Sequence, residues 1–111
     1  MLPLAERWNG HVWAIQATPS IAAGEFLGVS CPTVTDCIAV GWYPGRGRAE
    51  VTLVERWKGG TWTIQSSPSP SGQFKTWLTG VACVTPSTCE ASGYYTTATG
   101  PTYTLAEGRS G

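Results

Sequence analysis

Residues 4–16 read LAERWNGHVWAIQ, and residues 53–65 read LVERWKGGTWTIQ. Glu6 of the first stretch therefore returns as Glu55, 49 residues later. Each stretch alternates apolar and polar residues around a centre that contains glycine, which is typical of a β-hairpin. Because the hairpin is present twice, the chain is expected to be built from copies of one small β unit.

A second block is also repeated. The segments GVSC at 28–31 and CIAVGWY at 37–43 return as GVAC at 80–83 and CEASGYY at 89–95, so that Cys31 becomes Cys83, 52 residues later. The two blocks together predict four short antiparallel strands in each repeat. The predicted strands are 27–31, 37–43, 50–57 and 61–66, followed by 78–83, 89–95 and a short strand at 102–107. Repeat one covers about residues 4–52, repeat two about 53–104, and a truncated third repeat 105–111.

Four short strands within about fifty residues predict a blade of a β-propeller, so the predicted fold is all-β with two four-stranded blades. Two blades cannot close a ring, and the first and last strand pairs each lack half of their blade. An unpaired strand edge is a template for another chain. We therefore expect closure between copies into a propeller of six to eight blades, as a trimer by preference or as a tetramer. Two segments would then compete for the third strand position of the last blade: residues 102–107 of the same chain and residues 4–8 of a neighbouring copy.

The predicted turn of the first hairpin is Asn9-Gly10, a pair suited to a two-residue type I′ turn. This turn would place Trp8 opposite His11 and Glu6 opposite Trp13. Its copy is expected to turn at residues 58–60.

The charges exclude two classes of partner. Lys and Arg number 7, Asp and Glu number 7, and charged residues make up only 13% of the chain. This composition predicts neither a nucleic-acid-binding stripe nor a membrane-binding surface. No apolar run is long enough to span a bilayer. The first residues lack the basic and apolar segments of a signal peptide, so none is predicted in this chain.

The four cysteines form two pairs of equal spacing, Cys31 with Cys37 and Cys83 with Cys89. Each pair flanks the loop of a predicted hairpin, where facing residues lie within disulfide reach. Two disulfides would indicate an extracellular or cell-surface protein. A zinc site is an alternative, although its four sulfurs would have to come from separate blades. Four free thiols are a third possibility.

Acidic and aromatic residues recur together on one predicted face. Glu6 with Trp13 and Glu55 with Trp62 are the repeated pairs. Recurring tryptophans on one face of a sheet favour packing between blades. A carboxylate in such a place needs a hydrogen-bond donor, which is either structural or part of a ligand.

Long loops at the opposite end from the cysteine turns form a second candidate binding surface. This surface carries Arg46, Arg48, Lys75 and Trp77. Catalytic patterns are absent from the sequence: it contains one histidine, His11, and one aspartate, Asp36, which is expected to cap a turn. The sequence therefore predicts no enzyme and no cofactor.

The repeated pattern Leu-x-Glu-Arg-Trp-(Asn/Lys)-Gly-x-x-Trp with Cys-x5-Cys-x-Ala-x-Gly-x-Tyr resembles the tandem repeat of exported propeller-like proteins from actinobacteria and Chloroflexi. The resemblance covers residues 4–107 and implies a propeller fold, without implying an activity. A second resemblance is to the two-blade fucose-binding lectins that trimerise into six-bladed propellers. It implies a sugar site at the blade junctions, with Glu6 and Glu55 as ligands and Trp13 and Trp62 as stacking residues. The lectins lack the cysteine pairs, and no counterpart of their sugar-binding arginine precedes either glutamate.

These observations leave three functional hypotheses. The first is a non-enzymatic module that assembles with itself and has a structural or interaction role. The second is a carbohydrate-binding lectin, with a glycan as partner at the blade junctions. The third is a fragment of a larger propeller enzyme whose catalytic residues lie in other blades.

Overall fold

The computed structural model describes residues 4–8, 11–16, 18, 24–45, 49–65, 67–68, 73–85, 87–97 and 100–109. The described residues form nine β-strands and no helix, which confirms the predicted all-β class. The strands are β1 (Ala5–Trp8), β2 (Trp13–Gln16), β3 (Glu25–Thr33), β4 (Asp36–Pro44), β5 (Glu50–Lys58), β6 (Thr61–Gln65), β7 (Gln73–Thr85), β8 (Thr88–Thr97) and β9 (Thr102–Arg109).

Strands that follow one another along the chain pair antiparallel, except at two breaks. Strands β1 and β2 form a hairpin of their own, which we call the hairpin layer. Strands β3 to β6 form the central layer, and β7 to β9 form the final layer. One parallel pairing, Glu50 with Lys75, connects β5 to β7 at one end.

The core lies between these layers. Ile38 and Val40 of the central layer pack with Leu78, Cys89 and Ala91 of the final layer. The opposite face of the central layer has its own apolar cluster, formed by Cys37, Ala39, Trp57 and Trp62, and Ala5 of the hairpin layer packs against it. The central layer is therefore covered on both faces, as its largely buried strands β4 and β5 require.

The repeat is preserved in the strand register. In the central layer Glu55 pairs with Ala39 and Leu53 with Gly41. In the final layer Glu107 pairs with Ala91 and Leu105 with Gly93, each residue 52 positions later than its counterpart. Strand β9 is thus a full copy of β5 with eight residues, whereas the sequence predicted a short strand at 102–107.

The predicted register of the first hairpin is wrong by two residues. Trp8 pairs with Trp13 and Glu6 with Ile15, whereas the sequence prediction placed Trp8 opposite His11 and Glu6 opposite Trp13. Asn9 and Gly10, the predicted turn, lie outside the described residues.

The second hairpin, formed by β5 and β6, shows the physical reason for this register. Its two-residue turn is Gly59-Gly60, with φ of 62° and 89°, and this turn pairs Trp57 with Trp62. Both hairpins therefore place their two tryptophans opposite each other. Because the observed register differs from the predicted one by two residues, each side chain still lies on the predicted face of its hairpin.

Two repeated glycines allow a close backbone approach. A Cβ on Gly41 would lie 1.8 Å from the carbonyl oxygen of Glu25, and a Cβ on Gly93 would lie 1.9 Å from that of Trp77. Both sites face the irregular start of the preceding strand, at the register shift that follows Phe26 or Leu78. Only glycine fits such a site without moving the backbone.

Both predicted disulfides are present, and all four cysteines are used. Cys31 bonds Cys37 across the β3–β4 turn, and Cys83 bonds Cys89 across the β7–β8 turn. The Cα atoms of each pair are 4.0 Å apart. The structure thus confirms the disulfide prediction over the zinc and free-thiol alternatives, and paired cysteines suit an oxidising setting.

Candidate functional site

The junctions between the layers hold most of the residues singled out by the sequence. Strand β5 alternates so that Leu53, Glu55 and Trp57 face the hairpin layer. Trp62 of β6 pairs with Trp57 and lies on the same face. A glutamate and two tryptophans are therefore brought together inside the junction of the hairpin and central layers, which we call the first junction.

Glu55 is fully buried there, with 0% of its surface exposed. Neither carboxylate oxygen has a hydrogen-bond partner. Burial raises the pKa of Glu55 from 4.5 to about 7, because the charged form loses its hydration. The sequence suggested either a structural donor or a ligand as the partner of this carboxylate, and the described part of the chain contains no structural donor for it. A buried carboxylate without a donor is energetically costly.

The hairpin layer is fastened over this site by two polar contacts. The indole N–H of Trp62 donates to Oε1 of Gln16 at 2.9 Å. The guanidinium of Arg7 lies 4.2 Å from the ring centre of Trp57 and donates to the carbonyl oxygen of Val34. A cation over an indole face is attractive. Together these contacts hold the hairpin layer over Glu55 and Trp62, and both side chains are buried in the first junction.

Glu6 and Trp13, the other repeated pair, lie on the outer face of the hairpin layer. Trp13 is 66% exposed, whereas its counterpart Trp62 is 7% exposed. The same face carries exposed apolar side chains at Leu4 and Ile15. Isolated exposed apolar residues are ordinary, but a group of them on one face marks an interaction surface.

The junction between the central and final layers, the second junction, contains a cavity of about 430 Å³. Its lining is mostly apolar, with a few polar groups from Gln65, Ser67 and Glu107. Oε2 of Glu107 is buried without a hydrogen-bond partner, and burial raises the pKa of this carboxyl above its ordinary value. The sequence did not single out Glu107, because the third repeat was expected to be only a fragment. Its signal was the match of Leu105-Ala106-Glu107 to Leu4-Ala5-Glu6.

The second candidate surface, at the loop end, is partly described. The rings of Trp42 and Trp77 stack at 5.3 Å with an angle of 9° between their planes. The N–H of Trp77 donates to Oε1 of Glu50 at 2.7 Å, and that of Trp42 donates to Oε1 of Glu25 at 3.0 Å. Sequence reasoning named Trp77 and missed both carboxylates, which lie far from it along the chain.

Of the other three predicted residues of this surface, only Lys75 belongs to the described part of the chain. Lys75 is half-buried on β7 and pairs with Glu50 through the backbone. Arg46 and Arg48 lie outside the described residues. The described part of the surface is thus an aromatic stack held by acidic residues rather than a cationic patch.

Asp36, which the sequence predicted to cap a turn, forms an ion pair that the sequence did not predict. It is buried and forms a bidentate ion pair with Arg56, in which Nε donates to Oδ1 at 2.9 Å and the terminal nitrogen to Oδ2 at 2.6 Å. Bidentate arginine–carboxylate pairs fix geometry strongly. This pair connects the start of β4 to β5 and is structural.

Searches against models of protein families, curated proteins and solved structures give no match to this chain. Within the described part of the chain there is no helix that could cross a membrane.

Proposed function

We propose that this chain is a non-enzymatic interaction module that associates with copies of itself through its stacked β layers. The observation that carries the proposal is the contrast between Trp13 and Trp62. These residues hold the same position in two copies of one hairpin, yet one is 66% exposed and the other 7%. A surface that is buried in one repeat and open in the next is suited to a further layer of the same kind.

The partner proposed is a second copy, because the chain carries both sides of the contact. Inside the chain, Ala5 of the hairpin layer packs against the cluster that contains Trp57 and Trp62. The other side is the position of β9 in the final layer, because Leu105-Ala106-Glu107 of β9 repeats Leu4-Ala5-Glu6 of β1. A head-to-tail contact that closes gives a ring. A trimer is our first expectation, and a tetramer is the alternative.

This proposal places the protein in an oxidising setting outside the cytoplasm, because both disulfides suit such a compartment. It requires no cofactor.

The test is the dependence of mass on concentration, measured by light scattering after size exclusion. The variant Ile15→Thr should shift the protein towards single chains, because Ile15 is 75% exposed on the proposed contact face. The matched control is Val84→Thr, since Val84 is 83% exposed at the β7–β8 turn, away from that face. Equal masses for both variants and the parent protein, at every concentration, would argue against this contact face.

A second candidate function is glycan binding at the layer junctions. The observation in its favour is the cavity of about 430 Å³ beside the unpaired Oε2 of Glu107. Its largely apolar lining suits a sugar less well than it suits an apolar side chain. Calorimetric titration with methyl α-L-fucoside tests it: heat of binding that Glu107→Gln removes would support the lectin function, and no heat would reject fucose binding.

A further inference from the structure

One difference between the two junctions is the indole of Trp62, which is present in the first. In the first junction Trp62 packs in the cluster of Cys37 and Ala39, with the ring of Phe26 at 6.0 Å. This ring fills the space between the hairpin and central layers. It belongs to β6, the fourth strand of the central layer.

The second junction has similar surroundings at the position that corresponds to this ring. Cys89, Ala91 and Leu78 are the counterparts of Cys37, Ala39 and Phe26, each 52 positions later, and all three line the cavity of about 430 Å³. The final layer has three strands among the described residues, and β9 pairs there only with β8. The cavity therefore lies where a tryptophan of a fourth strand would lie.

The hydrogen-bond acceptor for such an indole is also present. In the first junction the N–H of Trp62 donates to Gln16 of β2. Gln65 of β6 is the counterpart of Gln16, 49 positions later, and it lines the cavity. The second junction thus repeats both the apolar walls and the polar end of a tryptophan site.

We propose that this cavity is the binding site for Trp13 of a second copy, delivered by that copy's hairpin layer. Trp13 is the repeat counterpart of Trp62, and it is exposed. In the complex its N–H donates to the carboxamide oxygen of Gln65, as that of Trp62 does to Gln16. The inference rests on the proposed self-association and defines where and how it occurs.

The incoming hairpin takes the position of β9. Residues Leu4-Ala5-Glu6 of β1 are identical to Leu105-Ala106-Glu107 of β9. Strand β1 can therefore pair with β8 in the register that β9 uses, with Glu6 in the place of Glu107 and Leu4 in the place of Leu105. Strand β2 then supplies the fourth strand that β9 lacks. Assembly thus replaces β9 with the equivalent strand β1 of the second copy. In the single chain, β9 occupies the position beside β8 that β1 would take.

The experiment compares one substitution at two equivalent positions. Leu4→Thr weakens the incoming strand, whereas Leu105→Thr weakens the strand that it replaces, since Leu105 packs against the core of the second junction. We expect Leu4→Thr to weaken association and Leu105→Thr to strengthen it, as measured by light scattering across a dilution series. Trp13→Ala should weaken association about tenfold or more, the usual effect of removing a central aromatic residue from an interface. Circular dichroism and intact disulfides check that each variant is folded.

The outcomes separate the two proposals. If the parent protein associates and Trp13→Ala associates equally well, the tryptophan site is wrong and self-association stands. If the parent protein is a single chain at every concentration, both proposals are overturned. If Leu105→Thr does not fold, Ala91→Phe replaces it, because a phenylalanine at Ala91 fills the cavity and should block association. Undiminished association of a folded Ala91→Phe protein would overturn the tryptophan site.

Discussion

The indole N–H of Trp62 donates to Oε1 of Gln16 at 2.9 Å, and the two residues belong to different sheets. This bond is a specific polar contact across the first junction, beside the apolar cluster that contains Cys37 and Ala39. It fixes the hairpin layer over a buried glutamate. The second junction has the same acceptor, Gln65, at the edge of a cavity.

Removing this acceptor should destabilise the fold. Gln16→Leu leaves the buried N–H of Trp62 without a partner, which costs about 1–3 kcal/mol in the free energy of unfolding. Urea unfolding followed by tryptophan fluorescence measures the change. Thr104→Val is the control, because Thr104 is exposed on β9 and its substitution should change the stability by less than about 0.5 kcal/mol. Equal stability of Gln16→Leu and the parent protein would show that the bond contributes nothing.

The stability should fall as the pH rises through the range in which Glu55 ionises. In the unfolded chain Glu55 ionises near its ordinary pKa of 4.5, and in the folded chain near 7. Well below about pH 4.5 the carboxyl group is neutral in both states, so it causes no change in the free energy of unfolding with pH. Between these pH values the unfolded state releases the proton first, so the free energy of unfolding decreases, and it levels off above pH 7.

Glu55→Gln should remove the part of this pH dependence that Glu55 contributes and leave the part due to Glu107, whose pKa is also raised by burial. At pH 8 the variant should be more stable than the parent protein by about 1–3 kcal/mol, since one pKa unit corresponds to about 1.4 kcal/mol and the amide is itself buried without a partner. Chemical unfolding at a series of pH values measures the effect. Glu6→Gln is the matched control, because Glu6 holds the equivalent position on the exposed face. A Glu55→Gln variant that keeps the full pH dependence would refute the assignment to Glu55.

Gly41 should not tolerate a side chain. Because a Cβ there would lie 1.8 Å from the carbonyl oxygen of Glu25, Gly41→Ala must move one of two paired strands. We expect a loss of about 3 kcal/mol or more, in the range that marks a severe backbone or packing conflict. Gly80→Ala is the control, because the nearest atom to its Cβ would be Oγ of Ser92 at 3.8 Å, an ordinary contact. Thermal unfolding ranks the two variants, and the reverse order would contradict the strand geometry described above.

Reduction should weaken the fold moderately. Each disulfide closes a loop between cysteines six positions apart, so its effect on the unfolded chain is about 2 kcal/mol when the loop-entropy relation is extended to this length. Thiol titration of the unfolded, unreduced protein should find no free cysteine. The variant Cys31→Ser/Cys37→Ser should lose about the same stability as Cys83→Ser/Cys89→Ser. Four titratable thiols in freshly purified protein would contradict both pairings.

The repeat made much of this fold predictable from sequence. Matching hairpins predicted the all-β class and the order of the strands, and the equal spacing of Cys31/Cys37 and Cys83/Cys89 predicted both disulfides. These features depend on local patterns, which a single sequence contains.

The features that the sequence did not predict depend on contacts between distant segments. Asn9-Gly10 is a strong turn signal, yet the hairpin aligns Trp8 with Trp13 instead. Glu50 and Trp77 are 27 residues apart and meet only through the parallel pairing of β5 with β7. Predicting the cavity beside Glu107 would require knowing that β9 is a complete strand and that no described fourth strand lies beside it.

The measurement that tests the central claim most directly is the absolute mass of the parent protein in solution, by light scattering over a wide range of concentrations. One chain has a mass of 11.8 kDa. Self-association through the open layers predicts a mass that increases with concentration towards three copies of the chain, or four. A constant mass of one chain, at every concentration and with both disulfides intact, would contradict the proposal.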